Sequence, residues 1–323
     1  MTAANIDVLV VGAGVSGLTT AVCLAESGRA VLVRTRERPA QTTSFAAGAI
    51  WGRVIAAHER ASHWGQQTLS LLKPLAKAAG TGVRLVTGME ATRTWSAPHP
   101  WLAEVDDFEL CRPAELPEGF VSGWRYTAPV IDMPRYLDYL VGRLLQAGGR
   151  IERATVLSLA SVAEVAPVVV NCTGSSAREL VPDDEVRPTR GQLVVVDNPG
   201  VNWFFAESST DLTELTYFLP HGDHIVLGGT MEPEGSDTTP HEETAAAIVR
   251  RCTAVEPALG RARILSHRVG FRPVRPQVRV EQTDLDGGHV IHNYGHGGSG
   301  ISLSWGCAFE VLNMIESRTA TPS

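Results

Sequence analysis

The sequence predicts a mixed α/β fold, with a Rossmann-like nucleotide-binding unit interleaved with an antiparallel-sheet unit. Three observations predict it. A β-branched run meets a glycine-rich turn at the chain start, a second fully apolar run ends in another close turn near residue 171, and residues 192–270 change to short β-branched or aromatic runs.

Residues 6–11 are apolar and break at Gly12-Ala13-Gly14-Val15-Ser16-Gly17, after which Leu18, Val22 and Ala25 recur at helical spacing until Gly28. The order is strand, tight turn, helix. Gly12 suits the sharp turn, Gly14 lets the backbone approach a pyrophosphate, and Gly17 lets helix and strand pack closely, while the helix N-terminus offers unpaired N–H groups to an anion. A second strand is expected over 30–34. The acid that usually follows it to bind a ribose is replaced by Arg34, Thr35 and Arg36; Glu37 either reaches the ribose late or is a solvated loop charge. Next comes the run Gln41-Thr42-Thr43-Ser44-Phe45-Ala46-Ala47-Gly48. Hydroxyls suit phosphate oxygens, and small residues let backbone amides lie against a flat ring, which after a dinucleotide fold favours FAD over NAD.

A helix is expected over 133–146, with Asp132 as N-cap, Pro134 in the first turn and Gly148-Gly149 as the stop. A strand is expected over 150–157. Val168-Val169-Val170 reads as a central parallel strand ending at the turn Asn171-Cys172-Thr173-Gly174. Strands over 193–196, 203–206, 215–219 and 224–227 predict the antiparallel sheet, supported by helices over 58–79 and 242–251. No linker marks a boundary, so the domains are expected to be discontinuous: 1–52, 132–191 and 271–323 for the nucleotide, 53–131 and 192–270 for the substrate.

Composition excludes several function classes. The chain has 323 residues, enough for a sizeable core, and a formal net charge of −7 with no basic run, which argues against nucleic acid and against a polybasic membrane anchor. Its five cysteines are scattered with no Cys-x-x-Cys pair, so buried thiols are expected rather than a zinc or redox centre. The N-terminus has no basic n-region and the C-terminal ATPS is no peroxisomal address, so a cytoplasmic location is expected.

Two later segments carry chemistry. Phe271-Arg272-Pro273-Val274-Arg275-Pro276 holds two arginines three residues apart on a stiffened backbone. Strand alternation turns them to opposite faces, so one can grip a carboxylate through paired hydrogen bonds while the other is solvated or in an ordinary ion pair. The run from His292 to Gly300 then places four glycines before a helix whose Ile301, Trp305, Ala308, Leu312 and Ile315 form one apolar face. That helix N-terminus favours negative charge on a ligand. His296 has no second metal ligand at suitable spacing and is read as a loop histidine; no metal is expected.

VVGAGVSGL, TTSFAAGAIW, VVVNCTG followed by RPTRGQ, FRPVRPQVR and IHNYGHGGSGISLSWGCA stand in the order and approximate spacing found in the D-amino-acid oxidase and D-aspartate oxidase family, which the chain resembles along nearly its whole length. The resemblance implies FAD as cofactor and oxidation of a D-amino acid by O2 to an imino acid, which hydrolyses to a 2-oxo acid and ammonia as hydrogen peroxide forms. It places Arg272 and Tyr217 on the substrate carboxylate, with Gly298 and Ser299 lining the substrate side. Cofactor contacts are implied at Gly12, Ala13, Gly14, Val15, Ser16 and Gly17, and at Arg34, Thr35 and Arg36. Thr42, Thr43, Ser44, Ala46, Ala47 and Gly48 match the flavin loop, and Val156 an adenine contact. Cys172, Thr173 and Gly174, Arg272, and Gly297, Gly298, Gly300, Ile301 and Ser302 complete the cofactor set. A homodimer is the assembly expected.

Two positions depart from the family. Thr213 stands where vertebrate members carry a second active-site tyrosine, and Met231 where aspartate-preferring members carry a basic residue. A thioether cannot pair a charge, so neutral, apolar D-amino acids are expected. With the carboxylate fixed, the α-carbon hydrogen would lie over flavin N5 and leave as hydride without a protein base. Alternatives are a glycine or sarcosine oxidase, a D-aspartate oxidase, a nicotinamide-linked dehydrogenase, and a flavin-binding protein without catalysis.

Overall fold

In a computed structural model of the chain, the structure describes residues 5–52, 56–162, 164–209, 213–233, 237–285 and 288–319. The C-terminal ATPS lies outside them. β1 (Val8–Val11), α1 (Val15–Glu26) and β2 (Val31–Thr35) form the opening unit, followed by the short α2 (Thr43–Ala46) and by α3 (Ala61–Leu75). β3 (Val83–Thr92), β4 (Asp106–Leu110) and β5 (Ser122–Ile131) precede α4 (Met133–Gln146), β6 (Arg150–Arg153), β7 (Val168–Asn171) and α5 (Ala177–Leu180). β8 (Arg187–Asp197), β9 (Phe204–Glu207), β10 (Glu214–Pro220) and β11 (His224–Thr230) lead to α6 (Glu242–Val255), β12 (Ile264–Leu285), β13 (Gly288–His296) and α7 (Gly300–Thr319).

All thirteen strands join one sheet in the order β4-β5-β3-β9-β10-β11-β8-β12-β13-β7-β1-β2-β6. The stretch β13-β7-β1-β2-β6 is parallel throughout. All four residues of β1 are buried, as a parallel strand covered on both faces requires. The other half is antiparallel except where β3 pairs with β9, a parallel contact that the local runs did not predict. Long strands β8 and β12 run through both halves, so the expected change-over points at 191/192 and 270/271 fall inside strands rather than in linkers.

Several elements differ from expectation for local reasons. β6 stops at Arg153 rather than 157 because its partner β2 ends at Thr35, with which Arg153 is in register. Asp132 stands at the N-cap of α4 with extended backbone, but its side chain accepts no capping hydrogen bond; the carboxylate pairs with Arg135 at 3.2 Å instead. α3 supports the nucleotide half, not the substrate half: Trp64, Leu69 and Leu72 join the core that contains α1, α4 and α7. The antiparallel half is covered instead by α6, whose Ala245, Ile248 and Cys252 pack on Val194, Phe205, Phe218 and Leu227. Cys23, Cys172, Cys252 and Cys307 are buried free thiols, and Cys111 is half-buried.

Helices α3 and α7 meet at backbone distance. A Cβ on Gly306 would overlap the Cα of Trp64, and the Gly306 N–H donates to the Thr68 hydroxyl at 3.1 Å. Gly306→Ala should therefore cost about 1–3 kcal/mol by overpacking, read from the midpoint of urea unfolding; an unshifted midpoint would show that these helices can separate freely.

Candidate active site

The site forms where the two halves of the sheet share strands. β12 pairs with β8 in the register Phe271 with Arg190 and Arg272 with Thr189. Thr189 and position 191 therefore share the face of Arg272, and the guanidinium lies over Gly191, where a Cβ would come within 2.8 Å of Cζ. Nη1 of Arg272 donates to the Thr230 carbonyl at 2.9 Å. Among the described residues no carboxylate lies within ion-pair distance of Arg272. Arg275, three residues on, faces the other way and is held by Asp183 at 3.1 Å and by Glu185. The alternation expected from the sequence thus separates an available arginine from a structural one.

Tyr217 sits opposite Gly228 and Ala206 on the neighbouring strands. Its ring occupies the space that a side chain at Gly228 would fill, and its hydroxyl would lie 3.1 Å from a Cβ on Gly48. Gly48 and Tyr217, expected from the sequence to serve flavin and substrate, are therefore in contact. Burial pushes the Tyr217 phenol up to about 12, against the opposing influence of Arg272, so the hydroxyl stays a neutral donor.

The loop over 42–48 ties this region to the nucleotide turn. Ser44 Oγ accepts from the Val15 N–H at 2.9 Å, and the Phe271 N–H approaches Thr43 Oγ1 at 3.4 Å, so one short segment touches both the first turn of α1 and the base of the Arg272 strand. Gly12 has φ +107° and a Cβ there would lie 2.5 Å from the Cys172 carbonyl oxygen, while one on Gly17 would overlap the Gly12 carbonyl. These are the close approaches expected of the turn. Thr173 donates from backbone and hydroxyl to Asn171 Oδ1, which fixes the adjoining turn before Gly174.

The glycine loop before α7 closes the far side. Ser302 Oγ accepts from the Gly52 N–H at 3.3 Å, and Ser299 Oγ from the Ala56 N–H at 3.3 Å. Gly298 is exposed at the loop crest. His296, expected to be a loop histidine, ends β13 and is buried; its Nδ1 lies 3.4 Å from Ser16 Oγ on the glycine turn, and its Nε2 has no hydrogen-bond partner among the described residues.

The residues at the end of β2, where the sequence leads one to expect a ribose contact, are engaged with the protein itself. Arg34 turns to Glu152 on β6 at 2.9 Å, the Thr35 hydroxyl donates to the Glu37 carbonyl at 2.7 Å, and the Glu37 carboxylate pairs with exposed Arg36 at 3.2 Å. Glu37 is thus a surface ion-pair partner in this structure. Val156 lies beyond β6, half-buried against the cluster containing Leu32 and Leu159. The first turn of α1 carries no acidic residue and Gly14 supplies no side-chain cap, so the amides there suit an anion. Taken with the bare backbone at Gly14, Gly48, Gly297 and Gly300, the residues fit a flavin dinucleotide.

The model of the FAD dependent oxidoreductase family, DAO, matches residues 7–314. The chain belongs to that family. FAD is accordingly its cofactor. The chain is 48% identical over 305 residues to a D-amino-acid oxidase of Rubrobacter xylanophilus, covering 94% of this chain and 93% of that protein. It is 46% identical to a D-amino-acid oxidase of Streptomyces coelicolor, covering 95% and 96%, and 34% identical to the human D-aspartate oxidase, covering 95% and 94%. Among solved structures, glycine oxidase from Geobacillus kaustophilus superposes with a TM-score of 0.80 at 17% identity, covering 97% of this chain and 95% of that one, a likeness of fold.

Sequence reasoning missed Thr230, Gly191 and Gly228. The doubled glycine in LGGT was the available signal, since a glycine inside a strand marks close approach of another group. It also treated Thr213 and Met231 separately, whereas the Met231 N–H donates to the Thr213 carbonyl at 3.0 Å, so both departures from the family lie at one place.

Burial pushes His221 down to about 3, and His292 and His296 down to about 4. All three are neutral in the folded chain at pH 5, where unfolded histidines near 6.5 are protonated. The unfolded state then binds more protons, so stability is present above about 6.5 and is lost as pH falls from there toward 4. Urea unfolding at pH 7 and pH 5 should differ by about 1–2 kcal/mol per histidine; equal stability would mean these rings titrate normally when folded.

Proposed function

We propose that the chain oxidises D-amino acids, neutral and apolar ones foremost, with water and O2 to 2-oxo acids, ammonia and hydrogen peroxide. The observation that carries the reading is the pairing of an arginine with no carboxylate partner among the described residues with a half-buried, neutral tyrosine beside Gly48 of the flavin loop. Bound FAD supplies the acceptor for the two electrons of the substrate C–H bond and passes them to O2.

The chain's own residues do the rest by positioning. Arg272 offers its remaining N–H donors to the carboxylate in a planar fork, and Tyr217 offers its hydroxyl to the same group, so the α-carbon is fixed by its acid end. Gly12, Gly14 and the first turn of α1 hold the pyrophosphate, Thr43 to Gly48 flank the ring system, and the α7 N-terminus with Gly297 to Ser302 favours negative charge on the bound ring.

Selectivity follows from the other end of the substrate. Met231 is half-buried beside Thr213, and the buried cation bridged to its neighbour Glu232, Arg190, is already bonded to both oxygens of that carboxylate. A second substrate carboxylate therefore finds a thioether there, which disfavours D-aspartate. No helix among the described residues is long and apolar enough to cross a membrane. The reading includes a cytoplasmic enzyme and a homodimer, the latter tested by the mass of the FAD-loaded protein in solution.

Anaerobic addition of D-alanine or D-valine should bleach the flavin absorbance, whereas the L-enantiomers should not; bleaching by sarcosine alone would favour a glycine oxidase instead. Arg272→Ala should raise KM for D-amino acids about a hundredfold or more, and Tyr217→Phe about tenfold, the difference between losing a charged anchor and one hydrogen bond.

A further inference from the structure

Arg190 is 0% exposed, and enclosing a guanidinium is unfavourable unless its donors all find acceptors. They do. Nη1 reaches both oxygens of Glu232 at 3.1 and 3.0 Å, Nη2 donates to the Thr239 carbonyl at 2.6 Å and to Gln192 Oε1 at 3.3 Å, and Nε donates to the Asp237 carbonyl at 3.0 Å. The backbones of Arg190 and Glu232 exchange a further pair of hydrogen bonds at 2.9 and 2.8 Å.

The cluster does not stop at Glu232. Oε1 of Glu232 also accepts from the Thr230 hydroxyl at 2.8 Å, and that hydroxyl accepts from the Gln192 N–H at 3.1 Å. The carbonyl of the same threonine is the group that holds Arg272 Nη1 at 2.9 Å. β11 ends at Thr230, where its register with β10 shifts between Glu214 and Tyr217, and the Arg190–Glu232 bridge carries the pairing with β8 past that end. The side-chain bracket adds a second hold on Thr230 at the end of the strand. Arg190 lies on the opposite face of β8 from Gly191, over which Arg272 rests, so the two arginines are linked through the sheet rather than across a pocket.

We propose that Arg190 and Glu232 are positioning residues for Arg272: they lock Thr230, and through its carbonyl they hold the guanidinium in place before a carboxylate arrives. An arginine loses much rotamer freedom on being fixed, and a chain that fixes it beforehand raises affinity for the anion without touching it. The inference rests on Arg272 taking the substrate carboxylate. It predicts an effect on binding rather than on the oxidation step.

The test uses the FAD-loaded enzyme with Glu232→Ala, Glu232→Gln, Glu232→Asp and Arg272→Ala, normalised to flavin content. KM for D-alanine and the dissociation constant of propionate, read from the perturbation of flavin absorbance, are measured together. Glu232→Ala should raise both roughly tenfold while kcat holds, with Glu232→Asp recovering part of the loss. Unchanged constants in Glu232→Ala beside weakened ones in Arg272→Ala would overturn the bracket and leave the arginine's role intact. Unchanged constants in both would overturn the carboxylate reading itself. A fall in kcat at constant KM, or failure of every Glu232 variant to fold and retain FAD, would make the cluster structural only and overturn the proposal.

Discussion

The arrangement of this protein depends on one guanidinium, that of Arg272, which no carboxylate among the described residues claims. The acidic residues outnumber the basic ones 35 to 28, so a cation on an accessible strand readily meets an acid. Arg275 meets two. Arg272 is spared because strand alternation turns it to the face of Gly191, where there is no side chain to compete, and because its protein contact is a carbonyl, which orients a guanidinium without neutralising it. Charge is thereby retained for a ligand.

Close approach is the second constraint, and it follows from the first. A guanidinium resting over β8, a phenol ring resting over β11 and a loop bent against that phenol all need backbone without side chains at the contact. Gly191, Gly228 and Gly48 supply it. In each place a methyl group would push the anchor away from its partner, so these glycines act through volume rather than through backbone freedom. Gly12 differs, since its φ of +107° requires glycine for conformational reasons as well.

What was legible in the sequence was local. The βαβ turn could be read because each glycine answers to a contact within a few residues or across one strand, and the opposed arginines because a separation of three is odd. The start and end of α4 were legible from Asp132 and the Gly148-Gly149 stop, although the aspartate turned out to pair with Arg135 rather than cap. The Thr230 carbonyl was not legible, because a backbone acceptor has no signature in residue type. Nor was the docking of α3 on α7, which depends on Gly306 meeting Trp64 across more than two hundred residues of chain. Chemistry carried by side-chain identity is visible in one dimension, and chemistry carried by backbone placement becomes visible only once the strands are ordered.

The same distinction bears on how such a site can change its substrate. Arg272 and Tyr217 are tied to one another through strands β8, β10, β11 and β12, and the loop over 42–48 joins both to the glycine turn, so altering one disturbs the others. Thr213 and Met231 share a single backbone hydrogen bond at the margin of the sheet, where β10 and β11 slip out of register. The Met231 N–H belongs to the same peptide unit as the Thr230 carbonyl that holds Arg272, so this margin and the arginine share one piece of backbone. Substituting the side chains of Thr213 and Met231 leaves both of those backbone hydrogen bonds available, whereas shifting the main chain there would move the guanidinium as well.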